Sequence, residues 1–193
     1  GAQGVGHVPI HPKEFGIDFM AFPAWKWLLG PLGLGAMYVN SERIEELTPI
    51  FKGTGSVKGG ENYLPYKSEW KDGAGRYEFS TPNFIDWIYF KAILEKLDEI
   101  GFEKIQKRLY ELSSYLGNGL KEIGFEISLD THKENSGILV AYHKKKTSTE
   151  IVTHLRKEDV FTADRLGGVR FAPHIYNSEN QLDEIVQLLK RII

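Results

Sequence analysis

The chain of 193 residues contains no cysteine, which removes disulfides, thiolate catalysis and sulfur-ligated metals from it. No apolar run reaches the roughly 18 residues that a membrane-spanning helix needs, and the first residues lack the charged-then-apolar layout of a secretory signal. Charge of one sign is also missing: 24 basic and 26 acidic residues are interspersed, for a formal net charge of −2. That balance gives no electrostatic case for nucleic acid or an anionic membrane as partner, and the cytoplasm is the expected compartment. The chain has no internal repeat and no initiator methionine. What remains is 41% hydrophobic and 26% charged, the composition of a globular chain long enough to bury a sizeable core.

Residues 5–39 carry short apolar stretches punctuated by Gly and Pro, with Phe19-Met20-Ala21-Phe22 and Leu34-Gly35-Ala36-Met37-Tyr38-Val39 predicted as buried strands. Residues 41–47 read as a short helix with Ser41 near its start, and residues 51–80, rich in glycine and polar side chains, as a long irregular segment. Helical spacing follows at Ile85, Ile88, Leu94 and Leu97, and again at Ile105, Leu109, Leu112, Leu116 and Leu120, with Gly101 between the two helices. Strands return at Phe125-Glu126-Ile127-Ser128-Leu129, Ile138-Leu139-Val140-Ala141-Tyr142 and Gly168-Val169-Arg170-Phe171-Ala172. Thr147 with Glu150, and Ser178 with Gln181, are capping-box signals for two more helices. Lys144-Lys145-Lys146 reads as a solvated loop before the first of them. This alternation predicts an α/β or α+β architecture, and the change of pattern near residue 115 a boundary between residues 1–114 and 115–193.

Lys26 stands in Ala21-Phe22-Pro23-Ala24-Trp25-Lys26-Trp27-Leu28-Leu29-Gly30-Pro31. Burial among such side chains favours a neutral, nucleophilic lysine, the form a Schiff base requires; the alternative is a lysine that lays its stem on apolar surface and keeps its charge in water. Arg170, between Val169 and Phe171 in a strand, needs an anion, because a guanidinium buried alone is costly. Its planar fork suits a carboxylate, and a local acid such as Asp183 could serve instead. Arg165, in a loop beside Asp164, is a weaker candidate. Gly53-Thr54-Gly55-Ser56-Val57-Lys58-Gly59-Gly60 lacks the Gly-Lys-Ser/Thr ending of a phosphate loop. His7 and His11 have the spacing of helical metal ligands, but Pro9 and Pro12 exclude a helix there, so no metal site is expected. His174 reads as a satisfied structural residue.

Four blocks in order carry a family resemblance: Gly1-Ala2-Gln3-Gly4-Val5-Gly6-His7-Val8-Pro9-Ile10; residues 15–31 through the lysine; Arg76-Tyr77-Glu78-Phe79-Ser80-Thr81-Pro82-Asn83-Phe84; and Val169-Arg170-Phe171-Ala172-Pro173-His174-Ile175-Tyr176-Asn177-Ser178. Together they resemble the class V aminotransferase family of pyridoxal-phosphate enzymes, which includes cysteine desulfurases, isopenicillin-epimerase-like proteins and, more distantly, kynureninase. The resemblance implies fold-type I, with the back part of a large cofactor domain followed by a small α+β C-terminal domain. It implies pyridoxal 5′-phosphate as cofactor and an amino acid as substrate, with Lys26 as the aldimine-forming residue that then moves the α-proton. Gln3 would donate to the cofactor's phenolic oxygen, and Trp25 would take a place in the cofactor site. Thr81 would reach the phosphate of a neighbouring subunit in a homodimer with shared sites, and Arg170 would grip the substrate α-carboxylate. Ordinary alternatives are an amide at a strand end for Gln3 and helix capping for Thr81. Family members are about twice as long, so the chain is expected to be a C-terminal half, inactive without the N-terminal half that carries an aspartate for the pyridine nitrogen.

Two departures shape the expected chemistry. Where the family commonly places a serine or threonine and a histidine as phosphate contacts, this chain has Pro23 and Trp25. Proline offers no donor and tryptophan only its indole N–H. Between Phe161 and Arg170 there is no cysteine, and a persulfide mechanism needs that thiolate. Transamination, epimerisation or lyase chemistry is therefore expected. The alternatives are a desulfurase whose cysteine lies in the other half and a non-catalytic relative serving as an interaction module.

Overall fold

A computed structural model describes residues 1–128 and 136–193. The chain divides into two compact units, Gly1–Glu99 and Ile100–Ile193. The division falls beside Gly101, where φ is 91°. Leu112, Leu116 and Leu120, on the helix that spans residue 115, pack into the core of the second unit.

In the first unit, β1 (Phe19–Pro23) pairs antiparallel with β2 (Gly35–Val39), Phe19 opposite Val39 and Pro23 opposite Gly35. Both strands lie where the apolar pattern puts them, but they are only partly buried: Val39 is in the core, whereas Phe19 and Met37 remain 45% and 43% exposed. A two-stranded ribbon has two faces, and among the described residues neither is fully covered. The helix expected over residues 41–47 is only a 3-10 turn, Ser41–Arg43, and its cap is Asn40, whose side chain accepts from the Glu42 N–H at 3.1 Å. Residues 51–80 are irregular apart from a 3-10 turn, Gly73–Tyr77, and a bridge between Val57 and Trp70. Helix α1 (Phe84–Ile100) closes the unit, with Asn83 Oδ1 accepting from the Asp86 N–H at 3.2 Å.

The second unit opens with α2 (Phe102–Glu122). Ile105, Leu109, Leu112, Leu116 and Leu120 recur at helical spacing and all are buried, each contributing about 1.5–3 kcal/mol. The helix ends in a Schellman turn: Phe125 N–H reaches the Leu120 carbonyl and Gly124 N–H the Lys121 carbonyl, with Gly124 at φ 89°. A four-stranded antiparallel sheet follows in the order β3-β4-β6-β5, made of β3 (Glu126–Ile127), β4 (Leu139–Tyr142), β5 (Ala163–Arg165) and β6 (Gly168–Phe171). Leu129, expected to extend β3, lies outside the described residues. Helices α3 (Ser148–Lys157) and α4 (Glu179–Lys190) begin with complete capping boxes at Thr147/Glu150 and Ser178/Gln181. Leu139, Ala141, Val169 and Phe171 on one face of the sheet pack with Leu112, Leu116, Leu120, Ile151, Leu155, Leu182 and Leu189 of the helices into one core. No helix of the described residues is long and apolar enough to cross a membrane.

Two polar ties join α2 to α4. Arg108 pairs with both carboxylate oxygens of Glu179, and the Tyr115 hydroxyl donates to Asp183 at 2.9 Å. The Arg108 hydrogen bonds, with help from the Glu179 backbone, depress the Glu179 carboxyl to about 2. A carboxyl with a folded value below its unfolded one adds stability above the ordinary value of 4.5 and loses it as pH falls toward 2. We expect unfolding stability to decline over that interval and expect Arg108→Gln to flatten the decline, as read by denaturant melts at pH 6, 4 and 3.

Candidate active site

The lysine sits on the 11-residue connection between β1 and β2, residues 24–34. Backbone bonds close this connection on itself: Ala24 N–H to Leu34 O at 2.9 Å, Gly30 N–H to Ala24 O at 2.8 Å, and Leu29 N–H to Lys26 O at 3.0 Å. Ala24, Trp27 and Leu28 point inward and are buried, Trp25 is 47% exposed, and Lys26 lies between these extremes. Lys26 Nζ stands 5.3 Å from the centre of the Trp25 ring, a cation–π distance. Among the described residues the amine has no hydrogen bond or ion pair. Gly30 makes the turn possible by its lack of a side chain: a Cβ there would lie 2.7 Å from both Ala24 Cβ and Phe90 Cδ2 of α1.

Gln3 is brought to this turn. Its Oε1 accepts from Trp27 Nε1 at 3.3 Å, and the Trp27 ring stacks on His7 with centroids 4.2 Å apart and an interplanar angle of 16°. His7 Nδ1 lies 2.9 Å from the Gln3 carbonyl. Burial lowers the His7 pKa, against a smaller raising effect of that carbonyl, so the ring is held neutral and spent on packing. With its oxygen occupied by Trp27, the Gln3 amide keeps its N–H donors for another acceptor. Trp27 and His7 were missed as positioning residues in the sequence. The available signal was an aromatic side chain directly after the lysine and a histidine one turn beyond Gln3.

Thr81 is exposed, and the capping alternative fails because Asn83, not Thr81, caps α1. In the second unit Arg170 lies opposite Val140 on β4 and Ala163 on β5. Its neighbours Val169 and Phe171 enter the core, so alternation along β6 turns Arg170 to the other face of the sheet. Its expected local partner Asp183 accepts instead from Tyr115, and no ion pair holds Arg170 among the described residues. Arg165 is exposed and donates to the Asp164 carbonyl at 2.9 Å. His174 is buried and stacked on Tyr176, with Nδ1 accepting from the Ile175 N–H at 2.9 Å, the structural role expected of it. Among the described residues no three His, Asp or Glu side chains are grouped to hold a metal.

A family model described as Aminotransferase class-V matches residues 1–184. The uncharacterized aminotransferase YcbU of Bacillus subtilis is 28% identical over 93% of this chain and 47% of its own length. A kynureninase of Bacillus thuringiensis is 27% identical over 99% of this chain and 46% of its own length. A probable cysteine desulfurase of Aeropyrum pernix is 26% identical over all of this chain and 51% of its own length. The chain thus spans about half the length of these curated relatives. Among solved structures, the apo cysteine desulfurase of Thermococcus onnurineus NA1 superposes with a TM-score of 0.88 at 21% identity, covering 100% of this chain and 51% of that one. The cystine C-S lyase C-DES in complex with cysteine persulfide gives 0.88 at 21%, covering 98% and 50%. The fold is that of the fold-type I pyridoxal-phosphate proteins, and the chain belongs to the aminotransferase class-V family. Pyridoxal 5′-phosphate is the cofactor of that family. An uncommitted amine on the turn to which the Gln3 amide is tied suits a phenolic aldehyde, whereas Pro23, without an N–H, removes one phosphate donor.

The close fit at Gly30 gives a direct test. Gly30→Ala should destabilise the protein by about 1–3 kcal/mol, as overpacked sites do, measured by urea unfolding, while Gly33→Ala, where a Cβ would meet nothing within 4 Å but φ is 85°, reports backbone strain alone.

Proposed function

We propose that this chain supplies the cofactor-bonding lysine and the substrate-binding arginine of a pyridoxal-phosphate-dependent enzyme that acts on an amino acid. The observation that carries the reading is the Lys26 amine, presented without a hydrogen bond or ion pair among the described residues on a closed turn whose next residue, Trp27, holds the Gln3 amide. Lys26 would hold the cofactor through its aldehyde, with loss of water, and would carry the proton of the substrate α-carbon at Nζ. Gln3 would offer its amide N–H to the cofactor's ring oxygen, and the Trp25 indole would flank the same site. Arg170 takes the substrate carboxylate in its planar fork. Bound pyridoxal phosphate supplies the electron sink for charge developing at that carbon. The reaction is transamination, epimerisation or a lyase step; the absence of cysteine from this chain argues against a persulfide carried here.

Thr81 serves the phosphate of a neighbouring subunit, so that two copies share their sites in a cytoplasmic homodimer. In support, Thr81 leads directly into the exposed apolar start of α1, where Phe84 and Ile85 are 62% and 67% accessible. A non-catalytic relative is the second reading, and Pro23 favours it because that position offers no phosphate donor.

Borohydride reduction of the full-length protein with pyridoxal phosphate, followed by peptide mass mapping, should place the pyridoxyl group on the peptide containing Lys26. Lys26→Ala should lose the visible absorbance band. A label on another lysine overturns the assignment, and no saturable uptake by the wild type favours the non-catalytic reading.

A further inference from the structure

The sheet face that carries Arg170 bears a second uncompensated cation. Asp164 turns toward the start of α3, where its Oδ2 accepts from Ser148 at 2.8 Å and Thr149 at 3.0 Å. Alternation along β5 therefore places Ala163 and Arg165 on the opposite face, with Arg170. The pairing is Ala163 with Arg170 and Arg165 with Gly168, so Arg165 and Arg170 are diagonal neighbours on adjacent strands. Such neighbours lie roughly 7–8 Å apart, within mutual reach of long side chains. Gly168, on the same face, leaves room for the side chains of its neighbours on β4. A Cβ there would come within 2.6 Å of Val140 Cγ1 and 2.8 Å of Tyr142 Cε1, and its φ lies outside the left-handed region, so the position needs room and not backbone freedom. Val140 and Tyr142 lean into that room and form an apolar floor beside the two guanidinium groups. Elsewhere on the face the charges cancel: Glu126, opposite Tyr142, pairs with Lys144 at 2.9 Å. Neither Arg165 nor Arg170 has an acid partner among the described residues.

Two like charges side by side on one sheet face repel, and an anion bridging them relieves that repulsion. We infer that Arg165 and Arg170 form a two-point anion site, and that the substrate is an amino acid whose side chain carries a second anionic group, a carboxylate or phosphate. The inference rests on the reading of Arg170 as the α-carboxylate ligand. Arg165 takes the side-chain anion, and Tyr142 and Val140 line the carbon chain between the two charges.

The full-length protein loaded with pyridoxal phosphate tests this by titration of its visible band. Aspartate, glutamate and phosphoserine should perturb the band at about tenfold lower concentration than asparagine, glutamine and serine, the scale of one charge-assisted contact. Whichever acid gives the largest preference identifies the anion. Arg165→Gln should abolish the preference and leave the neutral amino acids unchanged, and Arg165→Lys should restore part of it. A readout independent of the cofactor is calorimetry on the cofactor-free protein, where succinate should bind more tightly than propionate, and only while Arg165 is present. Equal affinity for acids and neutral isosteres, or a preference that survives Arg165→Gln, overturns the inference. If Arg170→Gln leaves every amino acid bound as before, the carboxylate role of Arg170 falls, and the two-point site with it.

Discussion

The arrangement of the C-terminal unit depends on a turn of two residues. Leu166 and Gly167, between the paired positions Arg165 and Gly168, both have positive φ, 55° and 77°, as in the hairpin turns whose twist matches that of their strands. Such a turn fixes register, and register here decides everything about β6. Side chains alternate with a period of two, so a slip of one position would drive the Arg170 guanidinium into the leucine core and put Val169 and Phe171 in water. The core and the cationic face are two consequences of one pairing.

In the first unit the corresponding constraint is closure of the lysine connection on its own backbone. Ala24, Trp27 and Leu28 of the connection are buried while Trp25 is exposed and Lys26 half-buried, so the amine is held on a fixed frame without being consumed by a partner. The stack of His7 on Trp27, and the bond from Trp27 to Gln3, connect residues 20 or more positions apart into one positioning assembly. The assembly lies within residues 1–184, which match the aminotransferase class-V family model.

Much of this was legible in the residues. The leucine spacing of α2, both capping boxes and Gly124 as a helix stop are local signals, and local signals survive folding. Three features were not legible for identifiable reasons. The end of α3 has the same terminating bonds as α2 but places Asp159 at φ 58° where a glycine would announce the stop. Apolar residues in β1, β2 and α1 reveal what their faces are made of, but not what covers them, so strands expected to be buried are partly exposed. Arg165 ranks low in the sequence because its Asp164 neighbour and a loop context suggest exposure, and it is exposed; what adjacency could not show is that it ends a strand, where alternation sets Asp164 on the other face.

The tip of the β5–β6 hairpin is open to solvent, with Leu166 91% exposed, and neither Leu166 nor Gly167 belongs to the packed core. Residues added between Leu166 and Gly167 would extend into solvent, whereas any shift of β5 along β6 would carry Val169 and Phe171 out of the core. Growth of this loop is therefore tolerated only where the strand pairing is kept, so the spacing of the two guanidinium groups is held as firmly as the packed interior itself.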